Sequence, residues 1–258
     1  MLYKSKLAVM SSVLVIFLTS LACAALQPGP SSTSTPEPTP TITTTPTNTP
    51  RPSPTLRPTG TPNVAATQHL EKRSAEIQSY YETGYLSSTE GQLVEVEDFR
   101  YEWAQLGWYN RLRFWDSVGD FFLSAHFKWE SALETSNVSG CGFIFGLQPN
   151  DDHYAVFLDR RQVYFLTTDH SLGYSKPVSP TRGTGRVKFE YPAEADFTLI
   201  VDDAYAYVLV DGELKGEYTL AKSRPQRGDL ALTVLSGTNK DYGTRCEMTD
   251  LHLWIPGQ

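Results

Sequence analysis

Residues 121–130 constrain this chain more than any other stretch. Phe121, Leu123, Ala125, Phe127 and Trp129 alternate with Phe122, Ser124, His126, Lys128 and Glu130, so one face is apolar and the other mainly polar. A period of two puts successive side chains on opposite faces of a half-buried strand. Similar runs predict strands at 141–147, 153–158, 162–167, 187–191, 197–201, 205–210, 213–219, 229–235 and 245–254. Asp211-Gly212 sits between two of them and is a strong hairpin signal, because both central residues of the favoured turn need positive φ. Asn150-Asp151-Asp152 and Asp202-Asp203 carry similar turn chemistry. Many short strands with tight connections and no helix among them imply an all-β antiparallel sandwich over residues 85–256. About 170 residues can bury a full core in that form.

Upstream the pattern changes. Residues 63–84 read as one amphipathic helix, capped by Asn63, with Ala66, Leu70, Ile77 and Tyr81 on one face. Glu71, Lys72 and Glu76 lie on the exposed face, and Gly84 supplies a left-handed exit. This helix is expected to dock on the domain that follows. Residues 23–62 form a stalk: from Pro28 onward the composition collapses to Thr, Pro and Ser, with Ile42 and Leu56 the only aliphatic side chains. Such a segment cannot bury enough apolar surface to offset its ordering entropy and is predicted to be disordered. Its prolines bias it toward extended geometry near ~3.1 Å per residue, a spacer of roughly 100 Å at full extension.

Lys4 and Lys6 precede an apolar run from Leu7 to Leu18, shorter than the ~20 residues of a usual membrane span, which favours a signal peptide over residues 1–22. The run ends in Thr19-Ser20-Leu21-Ala22-Cys23, which resembles the bacterial lipobox, whose Cys is diacylated and becomes the mature N-terminus. Ser20 stands where the commonest lipoboxes carry Leu. An uncleaved anchor from Leu7 to Leu26 is the alternative. Both readings place the rest of the chain outside the cytoplasm, the first with a lipid anchor in the bacterial cell membrane or at the cell surface. If Cys23 is acylated, Cys141 and Cys246 are left, and in an oxidising compartment they are expected to join. The bridge would close a loop of about 105 residues, worth about 4–5 kcal/mol in the chain-entropy model. A net charge of −7 without a basic stripe sets aside a nucleic-acid partner and disfavours a polyanion.

Ser139-Gly140-Cys141-Gly142-Phe143-Ile144-Phe145, followed by Asn150-Asp151-Asp152-His153-Tyr154 and later by Val210-Asp211-Gly212-Glu213, resembles concanavalin A-like jelly rolls. More narrowly, it is similar to bacterial extracellular domains related to laminin G-like and 3-keto-disaccharide hydrolase-like modules. The segment from Leu235 to Cys246 is similar to bacterial surface proteins with Thr/Pro stalks. The resemblance spans roughly residues 85–256. It implies a jelly-roll β-sandwich, carbohydrate as the default ligand, and Cys141 and Cys246 on strands close enough to bridge. It implies no particular activity, because this superfold hosts lectins, binding modules, glycosidases and adhesive domains.

Jelly-roll glucanases carry their carboxylates on an E-x-D-x-x-E strand that points all three into a groove. Glu95-Val96-Glu97-Asp98 has the wrong spacing, and Glu194-Ala195-Asp196-Phe197-Thr198-Leu199 lacks the final Glu, so no catalytic residue is assigned. No G-x-S-x-G, H-E-x-x-H or phosphate-cradling glycine loop occurs, and His69, His126, His153, His170 and His252 have no ligand spacing. Asp151 with Asp152, and Asp202 with Asp203, could supply oxygens to Ca²⁺. Paired Asp in a tight turn is more often turn chemistry, so no metal or cofactor is predicted.

Aromatics are the stronger signal. Trp103, Trp108, Tyr109, Phe114 and Trp115 crowd among Arg100, Glu102, Arg111, Arg113 and Asp116. Aromatic rings stack on the apolar faces of sugars while neighbouring polar groups hydrogen-bond the hydroxyls. Strand alternation assigns Trp108, Leu112 and Phe114 to the core and leaves Tyr109 and Trp115 as the exposed pair; Tyr174, in a polar loop, is the third ligand candidate. The reading is a noncatalytic cell-surface binding module, with carbohydrate as the preferred ligand. The alternatives are a protein-interaction or structural module that binds a cell-surface protein, and a glycoside-active enzyme whose carboxylates converge from distant strands.

Overall fold

The computed structural model of the chain describes residues 64–135, 138–222 and 227–257. The expected signal peptide, Cys23, the Thr/Pro stalk and the Asn63 cap lie outside the described residues. The helix α1 (Val64–Thr83) is followed by strands β1 (Gly91–Glu95), β2 (Phe99–Trp103), β3 (Trp108–Tyr109), β4 (Leu112–Val118), β5 (Phe121–Ser131), β6 (Gly140–Leu147), β7 (His153–Asp159) and β8 (Val163–Asp169). A single 3₁₀ turn (His170–Leu172) leads to β9 (Tyr174–Pro177), β10 (Arg182–Gly183), β11 (Ala193–Asp202), β12 (Tyr205–Val210), β13 (Glu213–Thr219), β14 (Gly228–Ser236) and β15 (Thr244–Pro256).

All pairings between these strands are antiparallel. The eight-stranded sheet runs β1-β15-β5-β11-β12-β13-β10 with β2 also on β15, and the seven-stranded sheet runs β3-β14-β6-β7-β8-β9 with β4 also on β14. Because β5, β6, β14 and β15 alternate between the two sheets, the chain builds an all-β antiparallel jelly-roll sandwich, as the alternation predicts. Phe121, Leu123, Ala125, Phe127 and Trp129 of β5 face Cys141, Phe143 and Phe145 of β6 and Tyr154, Val156 and Leu158 of β7 in the core between the sheets. Cys141 and Cys246 are joined, with Cα atoms 5.6 Å apart, and the bridge ties β6 of one sheet to β15 of the other.

The hairpin signals hold. Asp211 and Gly212, at φ +52° and +76°, turn β12 into β13, and Asp151 and Asp203 also take positive φ at their turns. Residues 187–191 are a correction, because they form no strand. Val187 and Phe189 donate backbone hydrogen bonds to the carbonyls of Arg161 and Arg160 (3.0 and 2.8 Å), while Val187, Phe189 and Tyr191 pack against the core. The alternation there records core contact without a strand ladder.

The outer face of the eight-stranded sheet is divided. One part is apolar: Phe122, Ile200, Leu209 and Trp254 are buried with Ile77 of α1 and Leu86. The remainder is a charged ladder, with Arg245 bonded to Glu102 and Glu130 (both 2.7 Å), Lys128 to Glu194 (2.6 Å) and His126 to Asp196 (2.9 Å). Phe122 thus interrupts the polar face of β5 where the helix covers it. The face that α1 presents is not the one its apolar residues suggest, which is a second correction. Ile77 is buried as expected, but Leu70 and Tyr81 are exposed, Arg73 is buried, and Glu76, expected on the exposed face, is partly buried. Arg73 bonds Glu76 (2.9 Å) and Asp250 of β15, and Tyr80 meets the ring of Phe122 edge-on at 5.2 Å. An ion pair to a bulged strand therefore sets the rotation of a helix whose apolar stripe is weak. Gly84 takes the expected left-handed conformation (φ +79°). No described helix is long and apolar enough to cross a membrane.

Candidate functional site

The outer face of the seven-stranded sheet carries the site. On β7 and β8, residues alternate between the core (Tyr154, Val156, Leu158, Phe165) and this outer face, where Ala155, Phe157 and Leu166 form a second apolar cluster with Ile144, Leu235 and the partly buried Tyr109. His153 and Thr168 share that outer parity at the other end of their strands, where they face each other across the β7–β8 pair.

A cleft of about 540 Å³ opens here, bordered by Trp108, Tyr109 and Arg111 on one side, Asp151, His153 and Thr168 below, and the turn from Asp169 to Ser175 on the other. Two of the three sequence candidates, Tyr109 and Tyr174, meet in it. Trp115 does not: it packs partly buried against the main core and borders a separate depression with Ser117, Arg227 and Pro256. Trp108, assigned to the core from the sequence, is the exposed tryptophan of the cleft. The error has a physical cause. β3 ends at Tyr109 and β4 begins at Leu112, so the alternation is not continuous from 108 to 115. In between, the buried Asn110 side chain accepts a hydrogen bond from the Val234 amide (2.7 Å), and bulges between β14 and β4 shift the register again beside Trp115.

The floor is a directed hydrogen-bond chain. His153 Nδ1 lies 2.6 Å from the Asp151 carbonyl, which can only accept, so Nδ1 carries a proton. In the neutral ring Nε2 is then an acceptor, and the Tyr109 hydroxyl donates to it at 2.8 Å. With its proton committed, Tyr109 accepts from Thr168 Oγ1 (2.9 Å), and Thr168 accepts from Ser175 Oγ (2.8 Å). With His153 neutral, the protons all point toward it, and Ser175 ends the chain with lone pairs available to a donor. The Tyr109 ring is held against Phe157 (centroids 5.2 Å apart), which fixes the phenol over the sheet.

The two turns that flank this floor are also fixed. Gly107 donates to the Ser236 carbonyl (2.7 Å), and Trp103 Nε1 donates to the Trp108 carbonyl (3.0 Å). Across the cleft, the Asp169 carboxylate caps the 3₁₀ turn by accepting from Ser171 N and Oγ (3.1 and 2.6 Å), and Asp152 accepts from the His170 amide (2.7 Å). Lys176 Nζ stands 5.0 Å from the centre of the Tyr174 ring. Arg111 pairs with Asp151 at 3.2 Å, both half-exposed, so a donor and an acceptor sit side by side at the rim. The Asp pairs at 151–152 and 202–203 serve as turn residues, with Asp202 accepting from the Ser87 amide. Among the described residues no group of three or more His, Cys, Asp and Glu side chains could hold a metal ion. Glu194 and Asp196, from the run closest to a glucanase strand, belong to the charged ladder on the other sheet.

The roles of His153 and Thr168 are not legible in the sequence, because the two meet only through the β7–β8 pairing. A signal in the sequence is a repeated tripeptide, Leu106-Gly107-Trp108 and Leu172-Gly173-Tyr174, whose glycines and aromatic residues line this one cleft.

No protein-family model matches the chain, and no curated protein matches it. By structure it is similar to the carbohydrate binding module CBM66 from Bacillus subtilis, at 10% identity and a TM-score of 0.45, over 62% of this chain and 92% of that one. It is similar to a fructosyltransferase from A. japonicus (14%, TM-score 0.45), covering 69% of this chain but only 28% of that one. It is also similar to the Bacillus licheniformis β-glucanase (11%, TM-score 0.39), over 63% of this chain and 99% of that one.

Proposed function

We propose that the sandwich is a noncatalytic carbohydrate-binding module held outside the cytoplasm by a lipid on Cys23. The observation that carries the reading is the meeting of Trp108, Tyr109 and Tyr174 around one cleft whose floor and rim offer paired donors and acceptors. A sugar ring has apolar faces and a belt of hydroxyls. Trp108 and Tyr174 provide the stacking surfaces, Arg111 and Asp151 suit two adjacent hydroxyls, and Ser175 accepts a third. The preformed turns lower the ordering cost of binding. The lipid anchor is supported by the residues from Lys4 to Cys23.

The test is a glycan array followed by calorimetry on the mature chain (residues 23–258 with Cys23→Ser). Saturable binding to a sugar class is expected, weakened about tenfold or more by Trp108→Ala and by Tyr174→Ala and unaffected by Trp115→Ala. A blank array, or binding that survives both cleft substitutions, refutes the proposal. For the anchor, metabolic labelling with an alkyne fatty acid should mark the wild-type chain and not Cys23→Ala; equal labelling refutes it.

A further inference from the structure

The two turns that flank the cleft differ in chemistry from its floor. Leu106, Trp108, Leu172 and Tyr174 are 59%, 64%, 50% and 50% exposed, and they belong to the two copies of the Leu-Gly-aromatic tripeptide. In each copy the central glycine is left-handed (φ +75° and +69°), and a Cβ there would meet nothing within 4 Å. These glycines are therefore required by the turn geometry and not by packing. The result is a tight turn on each side of the cleft, with a leucine one residue ahead of the lining glycine and an aromatic ring one residue behind it.

A sugar alone uses the aromatics and leaves both leucines in water. The formal charges of the lining residues, Arg111 against Asp151 and Asp169, sum to −1 with neutral histidines, which suits a neutral hydroxylated group and disfavours phosphate. We infer that the cleft takes an amphiphilic glycoside, with a neutral sugar on the polar floor and an alkyl or acyl substituent lying over Leu106 and Leu172. The inference rests on the floor binding a sugar, as proposed above, and adds the chemistry of the group attached to it. The same ligand chemistry is presented by a soluble glycoside and by a glycolipid in a bilayer.

Calorimetry with methyl and octyl β-glycosides of glucose, galactose, mannose and N-acetylglucosamine, below the micelle concentration, tests it on the mature Cys23→Ser chain. For at least one sugar, the octyl form should bind on the order of tenfold tighter than the methyl form, since burying only a few methylenes suffices for that factor. The Leu106→Ser/Leu172→Ser double variant should lose this gain and keep methyl glycoside binding. Equal affinity for both forms overturns the inference while leaving the sugar-binding reading intact. Equal binding of all octyl glycosides and of a sugar-free octyl detergent overturns both. No binding by any probe overturns the inference, and together with a blank glycan array it removes the sugar reading as well. In a second arm, the chain is sedimented with phosphatidylcholine vesicles with and without glucosyl diacylglycerol. Sedimentation only with the glycolipid identifies the bilayer source, and none with either, alongside octyl glycoside binding, identifies a soluble one. Sedimentation with plain phosphatidylcholine makes the rim a lipid-inserting surface and overturns the inference.

Discussion

Arg73 is the residue on which the docking of α1 depends, and removing it gives a measurable prediction. Its side chain is 5% exposed and bonds Glu76 (22% exposed) and Asp250 (48% exposed). Arg73→Met keeps most of the aliphatic stem and deletes the charge, leaving the two carboxylates facing a site they share. Deleting one partner of a fully buried pair costs about 3–5 kcal/mol, but water reaches Asp250 easily and Glu76 partly, so about 2–3 kcal/mol is expected here. Urea unfolding at pH 7, followed by tryptophan fluorescence, reads the loss, because Trp254 is buried with Ile77 of the helix. Hydrogen exchange should show the α1 amides opening first. The pH dependence gives a second, independent check. Burial would push the Glu76 carboxyl up, but the His252 ring 3.5 Å away and the hydrogen bond from Arg73 outweigh it and hold the group below its ordinary value. Burial likewise opposes, and Arg73 reverses, the shift of Asp250, whose carboxyl is also held low. Groups held low in the folded state stabilise it above their unfolded values, near 4.5 and 3.8, and lose that contribution as the pH falls through the folded values. The gap between wild type and Arg73→Met should therefore be widest at neutral pH and narrow as the pH falls below 4.5 and then 3.8. A loss under about 0.5 kcal/mol at pH 7, the size of an ordinary surface substitution, or a gap that does not change on acidification, would refute the account.

Two further substitutions probe the staple and the floor. Cys141→Ala/Cys246→Ala opens a bridge with a sequence separation of 105. It should lower unfolding free energy by about 4–5 kcal/mol in the chain-entropy model, and alkylation of both wild-type thiols without reductant would contradict the bridge itself. Tyr109→Phe removes the proton donated to His153 and the acceptor used by Thr168. The stranded polar atoms should cost about 1–3 kcal/mol in denaturant unfolding, and an unchanged midpoint would mean that the chain does not order the floor.

What the sequence conveys about this molecule follows from which physical effect dominates at each position. Where a strand lies between a core and water, as β5 does, burial alone sets the parity, and the alternation from Phe121 to Glu130 is read correctly. Asp211-Gly212 is equally readable because the turn demands positive φ and few residues supply it. The cleft fails on both counts. Parity would order Trp108 and Trp115, but it does not survive the break at Asn110, whose side chain accepts from the Val234 amide. Periodicity offers a face of Ala66, Leu70, Ile77 and Tyr81 for α1 and is right at Ile77, while Asp250, far away in sequence on a bulged segment of β15, holds Arg73 beside it. A long-range ion pair leaves no periodic trace. His153 and Thr168 are likewise joined only when β7 pairs with β8 and Tyr109 reaches over both.

The helix and the cleft lie on different sheets of the sandwich. α1 covers the apolar part of the outer face of the eight-stranded sheet, over Phe122 and Trp254, and the charged ladder from Arg245 to Asp196 occupies the rest. Neither region offers a stacking surface: one is occupied by the chain itself, and the other is a solvated array whose exposed ion pairs add little individually. The seven-stranded sheet carries the opposite outer face, and there the preformed turns at Gly107 and Gly173 flank the polar floor. The chain thus enters the domain along one sheet and opens its cleft on the other. The Arg73–Asp250 pair is then the contact that holds α1 on its own side of the sandwich, and its loss should weaken docking of α1 while leaving the floor from His153 to Ser175 intact.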